Sequence, residues 1–341
     1  MNEAQQALGL SNAQVIIKKD VPESNACYEA AKELVAEGCK VIFADSFGHE
    51  DYMIKAAKEF TDVQFCHATG TKAHTENLPN YHNAFASIYE GRYLAGIAAG
   101  LKLRELGVEN PQIGYVGAFP YAEVVSGYTS FYLGVKEIVP EVTMVVQFTG
   151  SWYDEIAEKS VAKALIGMGC VLISQHADSM GAPSACEEAN IPNISYNGST
   201  VESCPNTFIV ASRIDWAPYV KYICTQTMNG ESIDVDWVGT IETGSVKLTA
   251  VNEQAAAPDT QKTLDEYAAK LASGEIHVYD TKNFTVNGAE VTSYLADVDD
   301  FGDYVGETEV IKDGYFHESE YRAAPYFDLA IDGITIINSL N

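Results

Sequence analysis

The sequence of 341 residues has few cationic side chains and no long apolar run. A helix that crosses a bilayer needs about 20 consecutive apolar residues, and no stretch of this length is present. Lysine and arginine together number 21 against 48 aspartates and glutamates, which gives a formal net charge of −27. A surface this acidic repels phosphate backbones and anionic lipid headgroups. The charge balance therefore argues against nucleic-acid binding as the main function.

The motifs that hold phosphates, metals or a catalytic nucleophile are missing as well. The sequence contains no GxxxxGK[ST] or GxGxxG loop, no GxSxG turn and no HExxH or CxxC spacing. We therefore expect no cofactor, no metal ligand and no catalytic residue. The 7 cysteines are irregularly spaced and lie mostly in apolar stretches, which predicts buried thiols.

The sequence does contain a regular alternation of short β-branched runs and amphipathic stretches. In segment 27–35, apolar residues recur at the spacing of one helical face. Gly38 ends this predicted helix, and Val41–Asp45 follows as a continuous apolar strand of the kind found in parallel sheets. The same criteria predict further strands at 15–20, 63–67, 83–87, 112–117, 143–148, 171–175, 193–196, 207–211 and 235–250. They predict further helices at 51–60, 89–105, 121–138, 156–168, 181–189, 214–229 and 258–273.

Two parts of the chain repeat this order of elements. A helix followed by Gly38, Cys39 and a strand corresponds to a helix followed by Gly169, Cys170 and a strand. The repeat favours an α/β protein with two similar lobes, each a doubly wound parallel sheet flanked by helices.

Aromatic, carboxylate and amide side chains follow the predicted strands, where ligands bind to open parallel sheets. Aromatic faces stack on a flat ligand and aspartates pair with its hydroxyl or ring N–H groups, so this set suits a neutral, flat molecule. Phe47 is open to two interpretations, ligand stacking and packing at the lobe edge. Asp51 is expected to cap the helix that begins at Tyr52, with ligand contact as the alternative. The strand-end segments are Asp45–Gly48, His67–Gly70, Phe119, Ser151–Asp154, Gln175–Asp178, Tyr196–Ser199 and Arg213–Trp216.

Several segments resemble the basic membrane protein family of substrate-binding proteins, which serve ABC importers and include purine nucleoside receptors. They are FADSFGHEDYMIKAAKEFTDVQFCHATG, YEGRYLAGIAAG, IGYVGAFPYAEVVSGYTSFYLGV, GSWYDEIAEKSVAKALIGMGCVLISQHADS and ISYNGS. The resemblance keeps its order from about Met1 to the C-terminus. It implies a two-lobed periplasmic-binding-protein fold of type I, which closes on a purine nucleoside or purine base between its lobes.

The two lobes are predicted to alternate along the chain. The N-terminal lobe is expected to contain residues 1–118 and about 213–240, and the C-terminal lobe about 119–212 and about 241–341. We expect the hinges in the crossing segments 117–120, 211–215 and 239–245.

The strand ends and the resemblance together predict the ligand contacts. Asp215, in the SRID motif, corresponds to the carboxylate that nucleoside-binding members of the family use on ribose. Segment 239–244 reads GTIETG where the family often has a lysine-bearing GLK[DE]xG, so a lysine contact is not expected there. The predicted ligand-binding residues are Phe47, Phe119, Trp152, His176, Asp178, Asn197, Asp215 and Trp216.

The resemblance further implies ABC permease subunits as partners and an extracytoplasmic, membrane-anchored lipoprotein. The first ten residues of this sequence lack the features of a secretory signal. We expect a monomer that is not an enzyme, since no nucleophile–base pair is evident among the strand ends. Two alternatives stay open: a cytoplasmic small-molecule sensor derived from the same fold, and a binding protein for another flat heterocycle such as a flavin.

Family members begin with a strand and a loop before the first helix, whereas this sequence begins within that helix. In the usual 2-1-3 order, that strand would lie between the predicted strands at 15–20 and 41–45. We expect a slot there, and either a natural polypeptide that is longer or a chain of compromised stability, because unpaired buried groups cost about 1–3 kcal/mol each. Direct pairing of 15–20 with 41–45 would contradict this expectation.

Overall fold

The computed structural model describes residues 2–299 and 305–338. Its helices, numbered in chain order, are α1 Asn2–Ala7, α2 Asn25–Ala36, α3 Glu50–Glu59, α4 Ala73–Glu76, α5 Ile88–Leu106, α6 Ala122–Ile138, α7 Glu155–Gly167, α8 Gly181–Ala189, α9 Ala217–Asn229 and α10 Thr260–Ala272. Its strands are β1 Val41–Ala44, β2 Gln64–Ala68, β3 Tyr81–Ala86, β4 Gln112–Gly117, β5 Thr143–Phe148, β6 Ile173–His176, β7 Asn193–Tyr196, β8 Phe208–Ile214, β9 Asp236–Gly239, β10 Val246–Leu248, β11 Leu295–Ala296, β12 Thr308–Glu309, β13 Ile311–Lys312, β14 Tyr315–Phe316 and β15 Ile334–Ile336.

Two main sheets organise the described part of the chain. The smaller sheet has the strand order β1-β2-β3-β9 and is parallel throughout. The larger sheet has the order β10-β8-β7-β6-β4-β5-β15, with β10 antiparallel at one edge. Helices pack on both sheets, as the contacts of α3 and α9 with the smaller sheet and of α5, α7 and α8 with the larger sheet show. The predicted α/β fold with two similar lobes is confirmed.

Within the described residues, the chain crosses between the sheets after β3, after β8 and after β9. Neighbouring crossing segments are hydrogen-bonded to each other. The Ser87 N–H donates to the Gly239 carbonyl at 2.7 Å, and the Asp215 N–H donates to the Ser245 carbonyl at 2.7 Å. Two of these crossings lie at the segments expected as hinges, 211–215 and 239–245.

The first crossing lies earlier in the chain than the predicted lobe boundary at residue 118. Strand β4 pairs with β5 and β6, and α5 packs along α6, so both elements belong to the larger lobe. The first crossing is therefore near Ser87 and not at 117–120, because a strand belongs to the lobe whose strands it hydrogen-bonds. By sheet membership, the smaller lobe contains 2–86 and 217–239, and the larger lobe 88–214, 246–299 and 305–338. Residues 1, 300–304 and 339–341 of the predicted lobes lie outside the described residues.

Most predicted elements are found, and β4, β5, β7 and α8 have the predicted bounds. The single strand predicted at 235–250 is wrong: it is two strands, β9 and β10, joined by a turn that takes the chain from one sheet to the other. The strand predicted at 15–20 is also wrong, because this segment is irregular and pairs with no strand among the described residues. A cavity lies between it and β1. The expectation of a longer natural polypeptide stays a prediction.

The predicted cap of α3 is wrong as well. The helix begins at Glu50, so Asp51 lies inside the first turn, and its carboxylate pairs with the Lys72 ammonium at 2.6 Å. Glu50 is buried and accepts hydrogen bonds from the backbone of Thr71 and Lys72 and from the Tyr81 hydroxyl. This local acidic cluster therefore ties loops of the smaller lobe together.

Close packing of α5 on α6 forms the centre of the larger lobe. A Cβ on Gly134 would lie 2.1 Å from the Tyr93 carbonyl oxygen, and one on Gly96 would lie 2.2 Å from the Phe131 carbonyl oxygen. The two helix backbones therefore touch directly at these glycines, which no larger residue allows.

Most cysteine thiols are buried, as their apolar surroundings in the sequence predict. Cys27, Cys66, Cys170, Cys186 and Cys204 are buried, and the remaining two cysteines are half-buried; all are free thiols. In the described part of the chain, no helix has the length and apolar character needed to cross a membrane.

Candidate ligand-binding cleft

Loops that follow strands of the two sheets meet between the lobes. Phe47, after β1, stacks on Tyr121, which precedes α6, with ring centroids 5.3 Å apart. Tyr121 stacks on Phe119 at 5.1 Å, and the ring of Phe119 meets that of Trp152 edge-on at 5.3 Å. We call Phe47, Tyr121, Phe119 and Trp152 the aromatic run. It extends from the smaller lobe into the larger one and offers apolar faces to a flat ligand.

The loop that carries Phe47 is held from beneath by acidic and imidazole groups. Glu23 accepts hydrogen bonds from the Ser46 hydroxyl at 2.6 Å and from the Gly48 N–H at 2.8 Å. The Nε2 atom of His67 lies 2.7 Å from the Ser46 carbonyl oxygen, to which it donates. These bonds fix the Phe47 backbone while its ring stays 37% exposed at the cleft.

His176 lies at the end of β6 and forms the floor beneath Trp152. Its imidazole packs against the Tyr196 ring at 4.8 Å, and its Nε2 atom lies 3.5 Å from a Glu123 carboxylate oxygen. A Cβ on Gly127 would lie 2.5 Å from the imidazole, so α6 needs a glycine there. Burial, together with the positive charge of Arg92, holds the pKa of His176 well below its usual value. His176 is therefore neutral at physiological pH.

Arg92 on α5 is a buried cation that the sequence predictions did not include. Its guanidinium lies 3.5 Å from the centroid of the Tyr196 ring, and its Nη1 donates to the Gln175 carbonyl at 2.7 Å. Its Nε and Nη2 atoms are buried and have no hydrogen-bond partner among the described residues. The site therefore contains donors directed into a region from which bulk water is excluded.

Glu123, at the start of α6, is the acidic counterpart in this region. Burial raises its pKa to about 7, against the opposing effect of Arg92, and Asp178 raises it further. The carboxyl group therefore changes its charge near neutral pH, next to the neutral imidazole of His176.

Asp178 and Asn197 stand together at the open side of the larger lobe. The Asn197 side-chain amide donates to the Asp178 carboxylate at 2.8 Å. Asn197 has a φ of 63°, a left-handed conformation that asparagine tolerates better than most residues. The pair presents carboxylate and amide groups next to the floor residue His176.

Asp215 and Trp216 follow β8 but differ in what they contact. Burial alone would raise the pKa of Asp215, yet a hydrogen bond from Lys247 at 2.6 Å and one from the Ala217 N–H hold it below the usual value. Trp216 is half-buried, packs on Phe43 at 5.6 Å and contacts apolar clusters of both sheets. Both Asp215 and Trp216 thus lie at a crossing between the lobes.

The structure brings Phe47, Phe119, Trp152 and His176 into one continuous arrangement, with Asp178 beside it. Three further members of this arrangement, Arg92, Glu123 and Tyr121, follow no predicted strand directly. The sequence signal for Arg92 is a cation in the segment YEGRYLAGIAAG, in which small and apolar residues predominate. Glu123 gives a similar signal at the start of the largely apolar helix α6.

Two α/β lobes are joined by crossing strands, and the aromatic run extends from one lobe to the other, an arrangement typical of two-lobed binding proteins. The sequence profile of the PnrA-like ABC transporter substrate-binding proteins, the Bmp family, matches residues 2–282. The chain belongs to this family. The family consists of substrate-binding proteins rather than enzymes, and it is extracytoplasmic.

Curated relatives support the same assignment. A purine-binding protein of Brucella abortus is 33% identical over 281 residues, which is 81% of this chain and 76% of that protein. A putative ABC transporter glucose-binding protein of Haloferax volcanii is 33% identical over 260 residues, covering 72% of this chain and 64% of that protein. An ABC transporter nucleoside-binding protein of Lactococcus lactis is 26% identical over 171 residues, covering 50% and 45%.

Solved structures match the fold at lower sequence identity. An ABC transporter solute-binding protein of Conexibacter woesei has a TM-score of 0.66 at 22% identity, covering 81% of this chain and 90% of that one. A solute-binding protein of Aeropyrum pernix has a TM-score of 0.67 at 17% identity, covering 81% and 86%. These likenesses confirm the periplasmic-binding-protein-like fold.

Proposed function

We propose that this protein binds a purine nucleoside or a purine base between its lobes and delivers it to the permease of an ABC importer. The observation that supports the proposal most strongly is the aromatic run, because it continues from Phe47 of the smaller lobe to Trp152 of the larger lobe. A planar base that stacks on these rings contacts both lobes at once. The purine-binding and nucleoside-binding relatives support the same ligand class.

The polar groups beside the aromatic run suit the edges of a purine. Asp178 accepts hydrogen bonds, and the neighbouring Asn197 amide holds its carboxylate in place at 2.8 Å. The exocyclic amino group and ring N–H of a purine are the matching donors. His176 and Arg92 lie below the aromatic run. They place a neutral imidazole and a positively charged guanidinium there.

Asp215 is the residue through which a nucleoside would be distinguished from a free base. We propose that its carboxylate accepts hydrogen bonds from ribose hydroxyls. Lys247 and the Ala217 N–H keep this carboxylate ionised, so it is prepared to act as an acceptor. A base without ribose would leave the Asp215 carboxylate bonded only to these protein groups.

Ligand binding would stabilise the closed arrangement of the lobes, since only that arrangement lets one ligand touch both. We propose that the crossings near 87, 211–215 and 239–245 act as hinges. The protein would act as a monomer anchored to the membrane as a lipoprotein, with ABC permease subunits as its partners.

Isothermal titration of the ligand-free chain identifies the ligand. The protein is refolded from denaturant to remove bound ligand and titrated with adenosine, guanosine, inosine, adenine, riboflavin and glucose. Saturable one-to-one binding of a purine supports the proposal, whereas binding of riboflavin or glucose alone contradicts it. If a nucleoside binds, Asp215→Asn is expected to weaken the nucleoside by about 12-fold to 150-fold and to leave the corresponding base unchanged, because the loss of a hydrogen bond to a charged acceptor costs about 1.5–3 kcal/mol. Thr243→Ser, a conservative change in a neighbouring crossing turn, is the control.

A further inference from the structure

Glu123 is a nearly buried carboxyl group to which no described residue donates a hydrogen bond. Its side chain is 15% exposed, and the Nε2 atom of His176 lies 3.5 Å from its Oε1 atom. This distance exceeds the roughly 2.7–3.2 Å of an N–H···O hydrogen bond. Because a carboxylate accepts about four hydrogen bonds, its capacity to accept them is unused by the described residues.

His176, beside Glu123, has unused hydrogen-bonding capacity as well. It is 2% exposed, and neither of its ring nitrogens has a hydrogen-bond partner among the described residues. Its imidazole is neutral, since burial and the charge of Arg92 hold its pKa well below the usual value. It therefore provides no counter-charge to Glu123. Buried polar atoms in folded proteins are nearly always paired, so these two side chains together indicate contact with a polar group of a bound molecule.

The titratable side chains that face Glu123 all belong to the larger lobe. They are His176, Arg92, Asp178, Tyr115 and Tyr196. Arg92 is the cation of this set, but its guanidinium lies over the Tyr196 ring. Burial raises the pKa of Glu123 to about 7, against the opposing effect of Arg92, and the Asp178 carboxylate raises it further. A group that donates hydrogen bonds to both carboxylates would stabilise their ionised forms.

The two carboxyl groups lie beside the aromatic run. Glu123 is in the first turn of α6, two positions after Tyr121. Asp178 is joined to Trp152 by its N–H, which donates to the Trp152 carbonyl at 2.9 Å. His176 lies beneath Trp152, with ring centroids 6.4 Å apart. A base that stacks on the aromatic run therefore has both carboxyl groups near its edge.

We propose that Glu123, together with Asp178, binds an exocyclic amino group of the purine, and that binding releases the proton of Glu123 to the solvent. This inference rests on the proposed function, since it names the group of the purine that the cleft recognises. An amino group has two N–H donors, one for each carboxylate, whereas an oxo group in the same place would bring a third acceptor. The ligand class is therefore a purine that carries an amino group.

Isothermal titration with matched pairs of nucleosides tests the proposal. Adenosine and purine riboside differ only in the 6-amino group, and guanosine and inosine only in the 2-amino group; the corresponding bases are used if only bases bind. The affinity for the amino-bearing member is expected to rise by about threefold to tenfold between pH 6 and pH 8. The reason is that the ionised fraction of a group with a pKa of about 7 rises from about one tenth to about nine tenths in this range.

The released proton is measured directly. At pH 6 the titration is repeated in phosphate and in Bis-Tris, because a released proton adds the ionisation enthalpy of the buffer to the binding enthalpy. Release of a proton is expected for the amino-bearing purine, and none for its partner without the amino group. Equal release by both members of a pair, or uptake instead of release, would overturn the proposal.

Variants assign the proton to its residue. Glu123→Gln keeps an acceptor oxygen but cannot ionise, so it should bind the amino-bearing purine without pH dependence and without proton release. Glu155→Gln, at an exposed position at the start of α7, is the matched control and should keep both. Unchanged proton release in Glu123→Gln would overturn the proposal. Failure of every purine to bind would contradict the proposed function and this proposal with it, whereas purine binding without proton release would overturn this proposal alone.

Discussion

Trp152 is the residue on which the proposed stacking depends most, since it ends the aromatic run and lies over the floor residue His176. We predict that Trp152→Ala weakens purine affinity by about 5-fold to 150-fold, because stacking of a base on an aromatic side chain contributes about 1–3 kcal/mol. The neighbouring Tyr153 is 67% exposed, so Tyr153→Ala is the matched control and should bind normally. Titration calorimetry measures both. Equal purine affinities of the two variants would show that Trp152 does not contact the ligand.

Glu123 makes the stability of the larger lobe depend on pH. Its pKa is raised by burial from 4.5 to about 7, so the folded state holds a proton that the unfolded state releases more easily. Stability from this group is present below about 4.5 and is lost as the pH rises through about 7.

We therefore predict that Glu123→Gln, which cannot ionise, gains about 2–3 kcal/mol relative to the natural protein between pH 5 and pH 8. Urea unfolding at both pH values measures the change in the free energy of unfolding. Glu141→Gln, at an exposed position, should show no such gain. A constant difference between the Glu123 variant and the natural protein would contradict the role of burial.

At the scale of elements, the contact between α5 and α6 depends on glycine. A Cβ at Gly134 would lie 2.1 Å from the Tyr93 carbonyl, so we predict that Gly134→Ala forces the helices apart and costs about 1–3 kcal/mol or more. Gly167 ends α7 with nothing within 4 Å of a Cβ, and Gly167→Ala should be neutral or stabilise by up to about 1 kcal/mol. Chemical denaturation measures both variants. A harmless Gly134→Ala would show that the helices do not touch there.

The bounds of strands that lie between two neighbouring strands could be predicted closely. The structure of segment 15–20, which pairs with no strand among the described residues, could not. The apolar runs of β4 and β5 have the predicted bounds because both faces are covered. Segment 15–20 has the same β-branched composition but no pairing partner among the described residues, so composition alone misled the prediction. The break between β9 and β10 does have a local signal, because segment 240–245 reads TIETGS and Gly244 has a φ of 77°. A single strand over 235–250 disregards this signal.

The site could be predicted to the extent that its residues follow strands. Phe119, Trp152, His176 and Asp178 follow strands, as the rule for parallel sheets expects, and they lie near one another. That they bind the ligand stays a prediction. Arg92 comes from a helix and reaches the site from beneath, so only tertiary packing reveals it. Trp216 follows a strand too, but the rings on which it packs are Phe43, Phe85 and Tyr219 of the smaller lobe.

At the scale of the whole molecule, the two lobes are similar sheets whose strand ends meet at the cleft. The crossing segments are hydrogen-bonded to each other at Ser87–Gly239 and Asp215–Ser245, so the lobes share one backbone connection region. Binding of a ligand that contacts rings of both lobes therefore depends on how the lobes are arranged. The central claim is that a purine occupies this position.

The most direct test is a crystal structure of the chain with 8-bromoadenosine, in which the anomalous signal of bromine locates the base without ambiguity. We predict a peak within van der Waals contact of the aromatic run. A peak elsewhere, or no peak at a saturating concentration, would contradict the account.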